Sequence, residues 1–332
     1  MSLEQGVVLD KAGAENFPVA PFFMPRSMRD GLMAVYGFAR LVDDAGDGDL
    51  ADPRATAEQL GVRAESYAAA TLPDAAPAAP GSTVASPAET GPAADTDDTG
   101  FRLALLDGLE ADLDRAFETV LGSPGAEPPR HPLMAALCPV IDRHGLTPEP
   151  FRALIQANRV DQTTSRYQTF DELLGYCELS ANPVGRLVLQ LAGLATEERI
   201  RRSDAICSGL QVVEHLQDVA EDRGRGRIYL PAEDLARFGV AEADLDAPHA
   251  GPRLRALVAY EAQQARALLD QGAPLVGSVG GRLRLLLAGF TAGGYAALAA
   301  VAQAENDVLA GAPKPLKSRL LREAAVTFVR GR

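Results

Sequence analysis

Aspartates in two widely separated stretches set the chemistry open to this sequence. In Tyr36-Gly-Phe-Ala-Arg40-Leu-Val-Asp43-Asp44-Ala-Gly-Asp47, residues Tyr36, Arg40, Asp43 and Asp47 fall at i, i+4, i+7 and i+11. That spacing places them on one face of a helix. Far downstream, Gln211, Glu214, Asp218 and Asp222 recur at i, i+3, i+7 and i+11. Asp218 and Asp222 then stand one turn apart, where like charges repel weakly on an exposed helix and strongly in a cavity. A positive partner is expected to offset this, and Arg223-Gly224-Arg225-Gly226-Arg227 follows at once. Two acid-bearing helices imply a shared cleft filled by a cation. Carboxylate oxygens select hard cations, and Mg²⁺ takes one or two carboxylates plus phosphate and water oxygens. Neither a cage made of protein alone nor a His-based zinc site is implied.

The elements that must position these groups are helices. Ile206, Leu210, Val213, Leu216 and Ala220 form the apolar stripe opposite the second acidic face, so residues 197–222 are expected to be one helix. A first helix is expected over 26–44, with another opening at Pro53 and running to about Ala70. Further helices are expected at 101–121, 132–144, 148–160, 170–195, 252–272, 280–310 and 315–330. Pro183 should kink or break the one over 170–195. Period-two alternation is nowhere sustained, so the fold class is all-α. Asp43–Arg54 is acidic with Gly at its sixth place, but Ala45 and Arg54 stand where a calcium loop needs ligands.

Residues 73–100 are rich in Pro, Ala, Gly, Thr and Asp and lack aromatic, Leu, Ile or basic residues. They read as a disordered insertion within a single domain spanning 1–332, because helical patterning continues unchanged on both sides. A linker between two domains is the alternative.

Composition narrows the partners. The net charge of −13 argues against nucleic acid. Three cysteines, Cys138, Cys177 and Cys207, lack CxxC spacing and point to reduced thiols. Met1–Asn16 has no apolar core of a signal peptide, so a cytoplasmic location is expected. Leu285–Ala304 is uncharged over 20 residues, long enough to span a bilayer, but eleven of these are Ala or Gly. It reads as a buried core helix whose small residues let a neighbouring helix or a ligand chain come close. No amphipathic anchor is evident.

With both acidic faces and the Ile228-Tyr229-Leu230-Pro231 closure placed, the sequence resembles the squalene/phytoene synthase family of head-to-head prenyl synthases. Arg166-Tyr167-Gln-Thr-Phe-Asp-Glu-Leu and Tyr176–Arg186 add to the likeness, which covers nearly the whole chain apart from 73–100 and the termini. The resemblance implies the all-α isoprenoid synthase fold, with one helical domain around a central cleft. Asn16-Phe-Pro-Val and Ser180-Ala-Asn-Pro-Val-Gly-Arg186 resemble the hydroxysqualene synthase branch, which converts presqualene diphosphate to hydroxysqualene on a bacterial route to squalene and hopanoids. One departure stands out: this chain has Glu214 where the second motif usually carries Asn. An extra carboxylate could ligate Mg²⁺ itself or alter its affinity.

On that resemblance, Asp43, Asp44, Asp47, Glu214, Asp218 and Asp222 are the metal candidates. Mg²⁺ bridging them to a prenyl diphosphate would neutralise the departing pyrophosphate. Arg40, Arg225 and Arg227 suit bidentate phosphate contacts, and Gln211 and Tyr229 suit hydrogen bonds to the diphosphate or a metal-bound water. The carbocation left behind needs aromatic faces, for which Phe22, Tyr36, Phe38 and Tyr176 are candidates. Asp161 resembles a family position in the cleft that binds an arginine or orients water. His131, His144, His215 and His249 lack ligand spacing and read as structural. No GxGxxG follows a strand, consistent with a product quenched by water instead of hydride. The competing readings are condensation of two prenyl diphosphates to presqualene diphosphate or phytoene, and a helical scaffold without catalysis. The small-molecule substrate is accordingly a prenyl diphosphate. An apolar product is compatible with peripheral membrane contact, and the oligomeric state is left open.

Overall fold

The computed structural model describes residues 19–63 and 95–330, and within them the chain is helical with no strand. In chain order the helices are α1 (Arg26–Asp47), α2 (Pro53–Leu60), α3 (Asp95–Leu121), α4 (Pro132–His144), α5 (Pro148–Asp161), α6 (Phe170–Ser180) and α7 (Asn182–Leu191). They continue with α8 (Glu197–Gln217), α9 (Val219–Gly224), α10 (Ala232–Phe238), α11 (Pro252–Gly272), α12 (Pro274–Ser278), α13 (Gly281–Gln303) and α14 (Lys317–Arg330).

Local chemistry sets the boundaries. The Asp52 side chain accepts from Ala55 N at 3.0 Å with Pro53 at the first helical position, which starts α2. Thr169 caps α6 by accepting from Glu172 N, while Glu172 reaches back to accept from Gln168 N. Gly48, at φ 80°, ends α1 in a left-handed turn that a side chain would resist. Pro183 separates α6 from α7 at Ala181, as its missing N–H requires.

Asp95–Gly100, expected within the insertion, opens α3; acidic residues that read as disordered also suit the positive end of a helix, and Asp98 pairs with Arg102 one turn on. Residues 73–94, like Asn16–Pro18 and 64–70, lie outside the described residues. The expected helix over 280–310 stops at Gln303, where Glu305 and Asn306 turn left-handed at φ 54° and 59°.

One core runs through the molecule. On one side α1 packs against α3, α4, α5 and α7; on the other α8 packs against α7, α11 and α13. Glycines let these helices approach: a Cβ on Gly294 of α13 would lie 2.8 Å from Leu269 and 2.9 Å from Leu210, and one on Gly272 would lie 2.6 Å from the Arg202 carbonyl. The small residues of α13 therefore receive neighbouring helices. Helix α13 is apolar and long enough to cross a membrane, and 67% of its most apolar window is buried inside the protein. The three cysteines are free; burial pushes Cys177 up to about 12 and Cys207 up to about 11.

Candidate active site

The first acidic face sits at the end of α1 and is held from below by α5. Asn158 is buried and donates from Nδ2 to Asp43 Oδ1 at 3.1 Å and to the Leu154 carbonyl at 3.2 Å. Gln162 donates to the Gly46 carbonyl at 2.9 Å. Gly46 makes this contact possible, since a Cβ there would lie 2.2 Å from Asn158 Oδ1. Asp43 is exposed by accessible surface, although neighbouring atoms crowd its carboxyl. Desolvation there, reinforced by Asp47 and Asp44, pushes its carboxyl up to about 6 against the opposing pull of Asn158 and Arg40. Asp44 is itself buried and lies 3.0 Å from Arg40 Nε, so metal binding by Asp44 would require loosening that pair.

The second acidic face is bent. Helix α8 ends at Gln217, Asp218 takes φ −104° and ψ 14°, and α9 resumes at Val219. Asp222 N still donates to Asp218 O at 2.8 Å, so the two aspartates keep roughly their one-turn relationship. Burial, then Asp222 and Glu221, holds the Asp218 carboxyl above its usual range. Glu214 is exposed on the last turns of α8.

Only one arginine of the basic run enters the cleft. Arg223 makes a two-point contact with Asp246 at 2.7 and 2.9 Å, and Arg225 pairs with Glu221 at 3.0 Å and is exposed. Arg227 instead turns inward to 3.6 Å from Asp47. Burial pulls its guanidinium down, but Tyr229, Asp161 and Asp47 outweigh this and keep it above its usual value. Backbone pairing fixes its approach: Ile228 N donates to Ser165 O at 3.0 Å and Ala232 N to Tyr167 O at 2.9 Å. Arg166 closes the same junction by donating to Gly226 O at 2.7 Å.

Between the faces lies an aromatic wall. The Tyr229 ring stacks on His215 at 3.7 Å between centroids and 10° between planes, and on Tyr167 at 5.7 Å and 20°. Tyr176 stands 5.5 Å from Tyr167 and 5.8 Å from Tyr229. Its hydroxyl donates to Asp161 Oδ2 at 2.8 Å, while Asp161 Oδ1 is buried without a hydrogen-bond partner. Burial raises the Asp161 carboxyl despite Tyr176 and Arg227 beside it, and burial first also raises the Tyr176 phenol. His215 completes the group, 3.3 Å from Gln211 and 3.9 Å from Asp222.

Of the sequence-derived candidates, Asp43, Asp47, Asp161, Tyr176, Asp222, Arg227 and Tyr229 join this network directly, and Arg40, Asp218 and Gln211 border it. Tyr36 lies partly buried on α1, one turn before Arg40. Two aromatic candidates do not belong: Phe22 is 88% exposed, and Phe38 is core, its ring 5.0 Å from Phe151 and perpendicular to it. Asn158 and Gln162 are not among the sequence-derived candidates, Tyr167 enters there only as part of a motif that carries the family resemblance, and His215 reads as structural. Its position beside the polar stripe was the available signal; nothing local marks Asn158.

No three Asp, Glu, His or Cys side chains among the described residues converge as a metal cage. Carboxylates of this kind suit a hard cation, and one held here would need further oxygens from outside the protein to complete its shell. The recess beside His215, Asp222 and Arg227 is small, about 10 Å³, room for about one water. A cavity of about 500 Å³ lies elsewhere, between α11, α13 and α14. Asp222, Arg227, His215 and Tyr229 line the smaller recess, and Asp47 lies 3.6 Å from Arg227 at its side.

The chain matches the squalene/phytoene synthase family model over residues 10–322. It is 31% identical to hydroxysqualene synthase from Rhodopseudomonas palustris over 266 residues, covering 80% of this chain and 71% of that one. It is 36% identical to phytoene synthase from Arthrospira platensis over 177 residues, covering 49% of this chain and 55% of that one. The crystal structure of squalene synthase HpnC from Alicyclobacillus acidocaldarius superposes with a TM-score of 0.67 at 34% identity, covering 91% of this chain and 94% of that one.

Proposed function

The chain belongs to the squalene/phytoene synthase family, and from that premise we propose that it converts presqualene diphosphate to hydroxysqualene, with Mg²⁺ as cofactor. The observation that carries this reading is the extent of the match. Likeness to hydroxysqualene synthase runs over 80% of the chain, whereas likeness to the phytoene synthases runs over 41–51%.

In this reaction the C–O bond to the diphosphate breaks and pyrophosphate leaves with the electron pair. The allylic cation formed on ring opening adds water, and one proton is lost to give the alcohol. Asp43, Asp47, Asp218 and Asp222 would hold Mg²⁺, which supplies Lewis-acid neutralisation of the leaving group when bound. Arg227 takes the diphosphate in place of Asp47, since a planar guanidinium binds phosphate at two points and stays protonated. Tyr176 and Tyr167, backed by Tyr229 stacked between Tyr167 and His215, would supply the aromatic surroundings that suit the cation. Asp161, oriented by Tyr176 and with Oδ1 unpartnered, would hold the attacking water and receive its proton.

Condensation of two prenyl diphosphates is the second reading, favoured by the 36% identity to phytoene synthase within the shared half. Incubating purified protein and Mg²⁺ separately with presqualene diphosphate and with farnesyl diphosphate distinguishes them. Hydroxysqualene from the first substrate and no turnover of the second is expected. Turnover of farnesyl diphosphate alone would reject the assignment.

A further inference from the structure

Helix α14 runs along α13, and its two faces differ. Leu320, Glu323, Ala324, Val326 and Thr327 turn inward, the last two and Glu323 roofing the 500 Å³ cavity. Outward, Leu321 is 72% exposed, Val329 64% and Phe328 36%, with Ala325 between them and Leu316, 61% exposed, just ahead of the helix. At 100° per residue, Leu321, Ala325, Phe328 and Val329 form one apolar strip, flanked on one edge by Lys317 and on the other by Arg322. Arg284 of α13 reaches across at the far end, its guanidinium 4.5 Å from the Phe328 ring centroid, and Leu285 beside it in sequence is exposed. Lys314–Arg332 carries six basic residues against one acidic, in a chain whose net charge is −13.

We propose that the outward face of α14 docks the protein on an anionic lipid bilayer, with the apolar strip entering the acyl boundary and its basic edges engaging the headgroups. Two features on this face select the lipid surface. The protein's charge elsewhere is strongly negative, so an anionic membrane is attracted only where the cations gather. The strip is narrow and bounded by cations on both edges, which suits a helix lying in the interface plane. This docking goes beyond the proposed reaction and does not depend on which prenyl diphosphate is used.

Co-sedimentation of the full chain with vesicles of 30% phosphatidylglycerol in phosphatidylcholine, and with phosphatidylcholine alone, tests it. Partitioning to the anionic vesicles is expected, weakening at high salt. Lys317→Gln/Arg322→Gln should lower it about thirtyfold, and Leu321→Ser/Val329→Ser should also weaken it, with unchanged melting temperature and unchanged turnover of substrate dispersed in detergent. Equal partitioning of wild type and variants, or wild type that ignores anionic vesicles, overturns the proposal. Loss of a dimer in light scattering by the same variants, without any lipid effect, would make this face a protein interface instead and likewise overturn it.

Discussion

Arg227 stands 3.6 Å from Asp47, so the loop that follows α9 is tied to the last turn of α1. The contact joins the two acidic motifs through one cation, although 180 residues of sequence separate the pair.

Replacing Arg227 by Lys keeps the charge but removes the two-point fork. Turnover should fall about 10²–10³-fold, the scale of losing one positioned donor to a developing oxyanion. Steady-state release of pyrophosphate measures this. Arg225→Lys, at a side chain paired with Glu221, should lose less than a few-fold.

Asn158→Ala should remove the donor that Asp43 uses and weaken the protein by about 1–3 kcal/mol. Gly46→Ala should reproduce much of that loss, because its Cβ would strike Asn158 Oδ1 at 2.2 Å. Chemical denaturation of both single variants and the double variant checks it. The double variant should be well short of additive, since both changes break one contact.

Mg²⁺ alone should shift the melting temperature little, because no three ligating side chains converge among the described residues. Mg²⁺ with inorganic pyrophosphate, at a hundredfold excess over its dissociation constant, should raise it by about 4 °C. Differential scanning calorimetry reads this. Asp43→Asn/Asp218→Asn should abolish the shift while remaining folded.

Glu261 of α11 gives the fold a pH dependence away from the cleft. It is 1% exposed and faces the buried Asp234 of α10. Neither Glu261 oxygen has a donor when both groups are carboxylates, whereas a protonated Glu261 can donate to Asp234. Burial first, then Asp234, pushes its carboxyl up to about 8. The folded value lies above the unfolded one, so its stabilisation is full below the ordinary glutamate range and is lost as pH rises through about 8. Melting temperature should therefore fall as pH rises from about 5 to about 8 and level off above that, and Glu261→Gln should flatten that fall.

The sequence by itself determined the all-α class, the break at Pro183 and the acidic faces, because helix periodicity, proline's missing N–H and i, i+4 spacing are local properties of the chain. It also marked Asp161, Tyr176 and Tyr229, through the family resemblance. Tertiary structure alone decided which arginine of Arg223, Arg225 and Arg227 turns inward, since that depends on the pairing of Ile228 with Ser165 and on acids distant in sequence. It decided likewise that Asn158 lies under Asp43, that Phe38 is core and that Leu321 and Phe328 of α14 face outward. Periodicity says that a helix has faces; only packing against other elements says which face is covered.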